Sequence, residues 1–329
     1  MNGRELLISC IDRELALMEE LPVIKGYALV IGGGKVGTRF IKNTSHERYP
    51  LVLTIDIDPE AEASGISEVI EDQKKLSSIL KQKIGILEIN EHRSPKNGIS
   101  LKRNYFYSCD IGIIKYILSH GIPECIVPAV PVHIAAQLIA DIMTFPLKYQ
   151  QDAEVFRTSV SSIPVHEFTV LDQYPVRKIF FDNFVSNLPE HIILSQYPEK
   201  GIIVLSYTKG NEICPDHCPG HSGYCPFFER EKARDTIDYL RNLKSFYTGW
   251  VFESYQIGAG LGGISGNDVK KNLLDALKYV RNIYVMGNER DSDGNMGHVF
   301  FVGTSCKCHG ILNLFYLNNT NITDIGSYR

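Results

Sequence analysis

Uninterrupted apolar runs at Tyr27–Ile31 (YALVI) and from Leu51 in LVLTIDID bracket a glycine turn, GGGKVG, and a mixed segment, TRFIKNTSHER. Runs that do not alternate predict parallel strands covered on both faces, and the order strand, turn, helix, strand predicts a βαβ unit. Ile84–Ile89 (IGILEI) and Glu124–Val127 (ECIV) are further predicted strands, each beside a predicted helix, Asp72–Leu80 and Ile111–Ser119. Apolar positions recur at near-helical spacing over Val132–Thr144, which predicts a helix packed on that sheet. Upstream, Met1–Lys25 reads as an amphipathic helix. Its scattered acids, Glu5, Asp12, Glu14, Glu19 and Glu20, do not fit the basic start and apolar centre of a signal peptide.

The second half has another rhythm. Short predicted strands at Ile192–Ser195, Ile202–Tyr207, Trp250–Ile257, Ile283–Met286, His298–Val302 and Ile311–Leu317 alternate with helices at Glu229–Leu243 and Asp268–Val280. The change predicts two domains, residues 1–149 and residues 150–329, the second of mixed α+β type. A length of 329 residues agrees with two domains.

Composition narrows the classes. Hydrophobic residues make up 44% and charged residues 22%, and the mean hydropathy is −0.08, values of an ordinary globular chain. Lys and Arg number 34 against 38 Asp and Glu, a net charge of −4, which gives no reason to expect nucleic acid as a partner. The most apolar stretch, Cys125–Ala140, is broken by Pro128, Pro131, His133 and Gln137, so no membrane insertion is expected. A cytoplasmic location follows, where clustered cysteines are metal or redox ligands more often than structural disulfides.

Gly32, Gly34 and Gly37 fit G-x-G-x-x-G, with Gly33 as an extra glycine. In a dinucleotide site the first glycine permits the tight turn, the second lets the pyrophosphate approach the backbone, and the third lets helix and strand pack closely. The diphosphate would sit on free N–H groups at the helix start. Asp56, 22 residues after Gly34, stands where a carboxylate holds the ribose hydroxyls. An acid there repels a 2′-phosphate, so NAD is expected over NADP. The same residues also suit a layer whose glycines serve packing alone, or another adenosine ligand such as S-adenosylmethionine. The fold class expected is α/β: a Rossmann-type doubly wound parallel sheet followed by a second α+β domain with a cysteine-rich metal site.

VIGGGKVGTRFIK followed by TIDIDPE resembles the NAD-binding regulatory domains of potassium-uptake systems. The triple glycine with Lys-Val-Gly is also similar to precorrin-2 dehydrogenases of sirohaem synthesis. The resemblance spans about Tyr27–Glu60 and implies that Gly32, Gly34, Gly37 and Asp56 are cofactor contacts. After IGILEI this chain has NEHRSPKNG, which does not match the catalytic carboxylate loop of the precorrin enzymes.

Five of the eight cysteines fall in two short loops: Cys214, Cys218 and Cys225 in NEICPDHCPGHSGYCPFFER, and Cys306 and Cys308 in TSCKCHG. Thiolates gathered from separate loops repel one another unless a cation or cluster holds them. Cys214 and Cys218 have a spacing that zinc accepts, with His217, His221 and His309 in reach of the same loops. All-cysteine ligation, and proline after each of Cys214, Cys218 and Cys225, favour an iron–sulfur cluster of the 4Fe-4S type, with zinc as the alternative and a metal-free thiol or disulfide pair as the remaining reading. The ligands expected are Cys214, Cys218, Cys225 and one of Cys306 or Cys308. Cys10, Cys109 and Cys125 are dispersed and read as small buried hydrophobes.

Three smaller features complete the expectation. QIGAGLGGISGNDVKKN, with Gly258, Gly260, Gly262, Gly263 and Gly266, reads as a loop able to cradle an anion, or as a surface loop. His133 and, with less claim, Asp110 are candidate catalytic residues at the strand ends where doubly wound sheets bind ligands. The DSDGN stretch at Asp291–Asn295 reads as a turn, since it lacks the twelfth-position Glu of a calcium loop. Together these predict an NAD(H)-binding protein with a cysteine-ligated metal centre acting in redox or electron transfer. Its partner would be a small-molecule substrate or a redox partner protein, with a homo-oligomer allowed. The alternatives are an NAD-sensing scaffold with structural zinc and a metal or thiol carrier in cofactor maturation.

Overall fold

The computed structural model describes residues 3–44, 48–91, 104–144, 175–216, 218–258, 260–286 and 297–318. Helix Gly3–Glu20 leads to β1 (Val23–Ile31), helix Lys35–Asn43, β2 (Leu51–Asp56), β3 (Glu68–Ile70) and helix Gln73–Glu91. Then come β4 (Asn104–Ser108), the short helix Ile114–Leu118, β5 (Ile122–Pro128) and helices Ile134–Thr144 and Pro175–Ser186. Strands β6 (Ile193–Tyr197), β7 (Ile202–Ser206), β8 (Tyr224–Cys225) and β9 (Arg230–Glu231) precede helix Thr236–Leu243. The chain continues through β10 (Gly249–Gly258), β11 (Leu261–Ser265), helix Gly266–Met286, β12 (Gly297–Ser305) and β13 (His309–Asn318). The fold is thus mixed α/β. Among the described residues no helix is long and apolar enough to cross a membrane.

The chain forms two compact units, one of Glu20–Val132 with Ser254–Lys271, the other of Met1–Glu19, His133–Glu253 and Asn272–Arg329. The boundary expected at 149 lies outside the described residues. Helix Ile134–Thr144 groups with the second unit, where it packs on β12.

In the first unit β3, β4, β2, β1 and β5 run parallel in that order. Antiparallel β11 follows beside β5, and Ser254–Gly258 pairs with β11. Every side chain from Tyr27 to Ile31 is fully buried, as continuous apolar runs require of a strand covered on both faces. On one face Ala28, Val30 and Val52 meet Phe40, Ile41 and Phe106. Helix Lys35–Asn43 turns Gly37, Phe40 and Ile41 inward at helical spacing. Because β1 sends the chain to β2 on one side and lies against β5 on the other, the strand order reverses at the end of β1. That is where parallel sheets open a ligand crevice.

Two predicted strands are helical. IGILEI continues helix Gln73–Glu91, with Leu76, Leu80 and Ile84 buried at four-residue intervals, and Asn104–Ser108 takes the strand position next to β2. Ile283–Met286 ends helix Gly266–Met286, whose Leu273, Leu277 and Val280 continue the same buried stripe. The glycine-rich stretch expected as a loop forms the β10–β11 hairpin. A Cβ on Gly263 would lie 2.7 Å from the Cys125 sulfur, so this glycine lets β11 approach β5.

In the second unit the first half of β10 pairs parallel with β12, followed by antiparallel β13, β7 and β6. Phe184, Ile203, Leu205, Leu240, Phe301 and Leu312 form its core. The helix expected from Glu229 begins only at Thr236, because Arg230–Glu231 pairs with Tyr224–Cys225 as a short hairpin. Residues 287–296, which include Asp291–Asn295, lie outside the described residues.

Candidate functional site

Adjacent strands bring the two cysteine loops together. In the β7–β13 ladder Ser206 stands opposite His309, so the loop leaving β7 and the β12–β13 turn emerge side by side. Tyr207 N–H donates to the Cys308 carbonyl (3.0 Å), and Thr236 N–H donates to that of Lys307 (3.0 Å). Within the first loop Cys218 N–H donates to Pro215 O (3.0 Å), a turn that folds Cys218 back toward Cys214. Cys225 is fixed in β8, opposite Arg230. Arg230 forms an ion pair with Glu212 (2.8 Å) and donates to the Tyr207 carbonyl, tying both ends of the loop to the end of β7.

Cys214, Cys218, Cys225 and Cys308 line one small cavity, together with His221, Lys232 and His309. Its volume of about 10 Å³ has room for a single atom-sized guest. Burial pushes the Cys214 thiol up to about 12, and neighbouring Cys218, Cys308 and Cys225 add to the rise. Burial also raises Cys308, helped by Cys306 and Cys218 and opposed by the hydrogen bond from Lys232. Among the described residues no three His, Cys, Asp or Glu side chains stand close enough to hold a metal ion as placed. Cys214 and Cys308, two of the cavity's thiols, are thus both held toward the protonated form by burial and by neighbouring sulfur. His217 lies outside the described residues.

Cys306 does not line this cavity. Its sulfur accepts the N–H groups of Cys308 and His309 (both 3.4 Å) and lies 3.7 Å from His309 Nδ1. Burial raises the Cys306 thiol, but the His309 ring and these N–H groups outweigh it and leave it lowered. Of the two downstream cysteines, Cys308 is the one that reaches the cavity.

At the glycine turn, Gly32 has φ +108°, and a Cβ there would meet the Ala129 carbonyl at 2.6 Å. A Cβ on Gly37 would lie 1.9 Å from the Gly32 carbonyl oxygen. Gly33 N–H donates to Asp56 Oδ2 (2.5 Å), and Asp56 Oδ1 accepts from Asp58 N–H (2.9 Å). Gly34 differs: it is exposed, with φ −71°, and a Cβ there would meet nothing within 4 Å.

The two catalytic candidates are occupied locally. His133 is buried in the second unit with Nδ1 2.8 Å from Asn313 Oδ1 and Nε2 2.8 Å from the Thr304 hydroxyl, so both ring nitrogens have partners within the core. Burial lowers its pKa to about 4, and the Asn313 hydrogen bond only partly opposes that. Asp110 caps the turn Ile111–Ile113 by accepting Gly112 N–H (2.8 Å). Among the dispersed cysteines, Cys125 is buried in the first unit's core, whereas Cys10 and Cys109 are half-buried. Lys232 was not legible as a site residue, because it sits in the charged run Glu229–Arg234, which reads as solvated helix start.

A family model described as an uncharacterized protein, C-terminal domain, matches residues 159–318. The chain is similar to that family over the segment that carries both cysteine loops. No curated protein and no solved structure matches the chain.

Proposed function

We propose that the chain is an NAD(H)-binding protein with a cysteine-ligated metal centre acting in redox or electron transfer. The convergence of Cys214, Cys218, Cys225 and Cys308 on one cavity carries the reading. Four thiolates gathered on one cavity would repel one another. A cation turns that repulsion into ligation, with release of the protons. The donor set is all sulfur, which suits an iron–sulfur cluster or zinc and disfavours hard cations. A cluster bound there supplies one-electron transfer; the residues that would hold it are these four cysteines.

For the first unit we read a Rossmann-type dinucleotide site. Support comes from the parallel strand order with its reversal at β1, from Asp56 at the glycine turn, and from Gly34. Gly32 and Gly37 are required by the protein's own backbone, whereas Gly34 is not. A glycine that packing does not need is explained by a ligand that must approach the backbone. Nicotinamide delivers two electrons as hydride and a cluster takes one, so exchange between them needs a flavin or a redox partner protein.

One observation favours a second reading. A cavity of about 10 Å³ matches a single ion better than a cluster, which would make the centre a structural zinc site in an NAD-sensing regulatory protein. Anaerobic purification followed by metal and sulfide analysis separates the two. Iron with acid-labile sulfide supports the cluster, and one zinc without iron supports the second reading. A chain that takes up neither, after incubation with iron and sulfide or with zinc, overturns both.

A further inference from the structure

We infer that Lys232 is a built-in positioning residue of the thiol centre, joining its two loops and holding the Cys308 sulfur by an ammonium hydrogen bond. The inference rests on the reading of the cavity as a metal centre. The Lys232 side chain has no solvent exposure. Burying an ammonium is costly unless acceptors surround it. Its Nζ donates to the carbonyl of His221 and to Cys308 Sγ at 3.2 Å, lies 3.8 Å from Asp235 Oδ1, and faces the Tyr207 ring at 5.6 Å.

The placement of the backbone makes this contact a link between loops. Lys232 N–H donates to Gly223 O (2.8 Å), which fixes the residue to the hairpin that presents Cys225. Its side chain then crosses to Cys308, 76 residues further along the chain. Asp235 Oδ2 accepts the Ser222 hydroxyl (2.7 Å), so the acid that steadies the ammonium is itself anchored to the first loop. Cys306, the other downstream cysteine, has its sulfur satisfied by backbone N–H groups of its own turn. The sulfur that lines the cavity is thus held by a cation from the opposite loop, while its neighbour, which does not line it, accepts N–H groups of its own turn.

An N–H···S bond draws electron density from a ligating thiolate and fixes its direction, as second-shell donors do in metal sites generally. Cobalt(II) added to the metal-free protein reads both effects. Wild-type chain is expected to give thiolate-to-cobalt charge-transfer absorption. Lys232→Met is expected to shift that absorption to longer wavelength and to weaken cobalt binding about tenfold or more. Lys232→Arg, which retains a donor cation, is expected to recover most of the affinity. In a Cys308→Ser background the Lys232→Met substitution should add little further loss, because the acceptor is gone. Should Lys232→Met unfold the chain by circular dichroism, the comparison of Lys232→Arg with wild type decides, since band position and affinity both preserved there support the inference and a band shifted to longer wavelength despite the retained cation opposes it. Charge-transfer bands in the wild type that are identical in Lys232→Met overturn the role of Lys232 alone. Absence of charge-transfer bands in the wild type overturns the metal reading and the inference together.

Discussion

Asp56 Oδ2 accepts the N–H of Gly33 at 2.5 Å, so the carboxylate that ends β2 is fastened to the turn that ends β1. The acid is thereby held at the rim of the proposed dinucleotide site before any ligand arrives. Asp56→Ala is expected to weaken NADH binding by roughly 1.5–3 kcal/mol, about ten- to hundredfold in Kd, the usual worth of hydrogen bonds to a charged group. It should also narrow the preference for NADH over NADPH, because the repulsion toward a 2′-phosphate is removed. Calorimetric titration of both nucleotides checks this, and an unchanged NADH affinity contradicts it.

Gly34 and Gly37 offer a sharper separation of packing from binding. Alanine at 37 would place its Cβ 1.9 Å from the Gly32 carbonyl oxygen, an overpacking that should cost at least about 1–3 kcal/mol of stability. Alanine at 34 meets no protein atom within 4 Å and inherits an allowed backbone conformation. Its cost should stay within about 1 kcal/mol, the scale of an N-cap change. Denaturant unfolding should therefore find Gly34→Ala near wild type, while NADH titration should find it strongly impaired. Full binding by Gly34→Ala would remove the ligand explanation for that glycine.

His133 is expected to set a pH dependence of stability. With the folded pKa lowered to about 4 from 6.5 by burial, the unfolded chain binds a proton between those values and the folded chain does not. Stability is therefore complete above pH 6.5 and declines as pH falls toward 4, by on the order of 3 kcal/mol from this group. Urea unfolding of wild type and His133→Gln across this window should show a shallower decline in the variant. Equal slopes would mean that the histidine is protonated in the folded protein.

Much of this was legible in the residues, and the exceptions have physical causes. Tyr27–Ile31 is a continuous apolar run and Leu51–Ile55 is one interrupted only by the buried Thr54, and both are central strands. IGILEI is also a short apolar run, yet it is helix, because Leu76 and Leu80 upstream already set a four-residue stripe that Ile84 extends. A six-residue apolar window cannot express that choice. The cysteine spacing exposed two loops, but whether Cys306 or Cys308 faces the others depends on the turn between β12 and β13. There Cys308 lines the cavity and Cys306 does not, while the Cys306 sulfur accepts two backbone N–H groups. Lys232 was hidden for a related reason: a lysine among charged neighbours looks solvated until the fold buries it beside a thiol from another loop.

The most direct test of the four-thiol centre compares Cys308→Ser with Cys306→Ser. Each is purified anaerobically and analysed for bound metal and for thiolate-to-metal absorption beside the wild type. The account predicts one centre per chain in the wild type and in Cys306→Ser, and loss of the centre or its four-sulfur signature in Cys308→Ser. A centre that survives in Cys308→Ser and disappears in Cys306→Ser would contradict it, as would a wild-type chain that holds no metal at all.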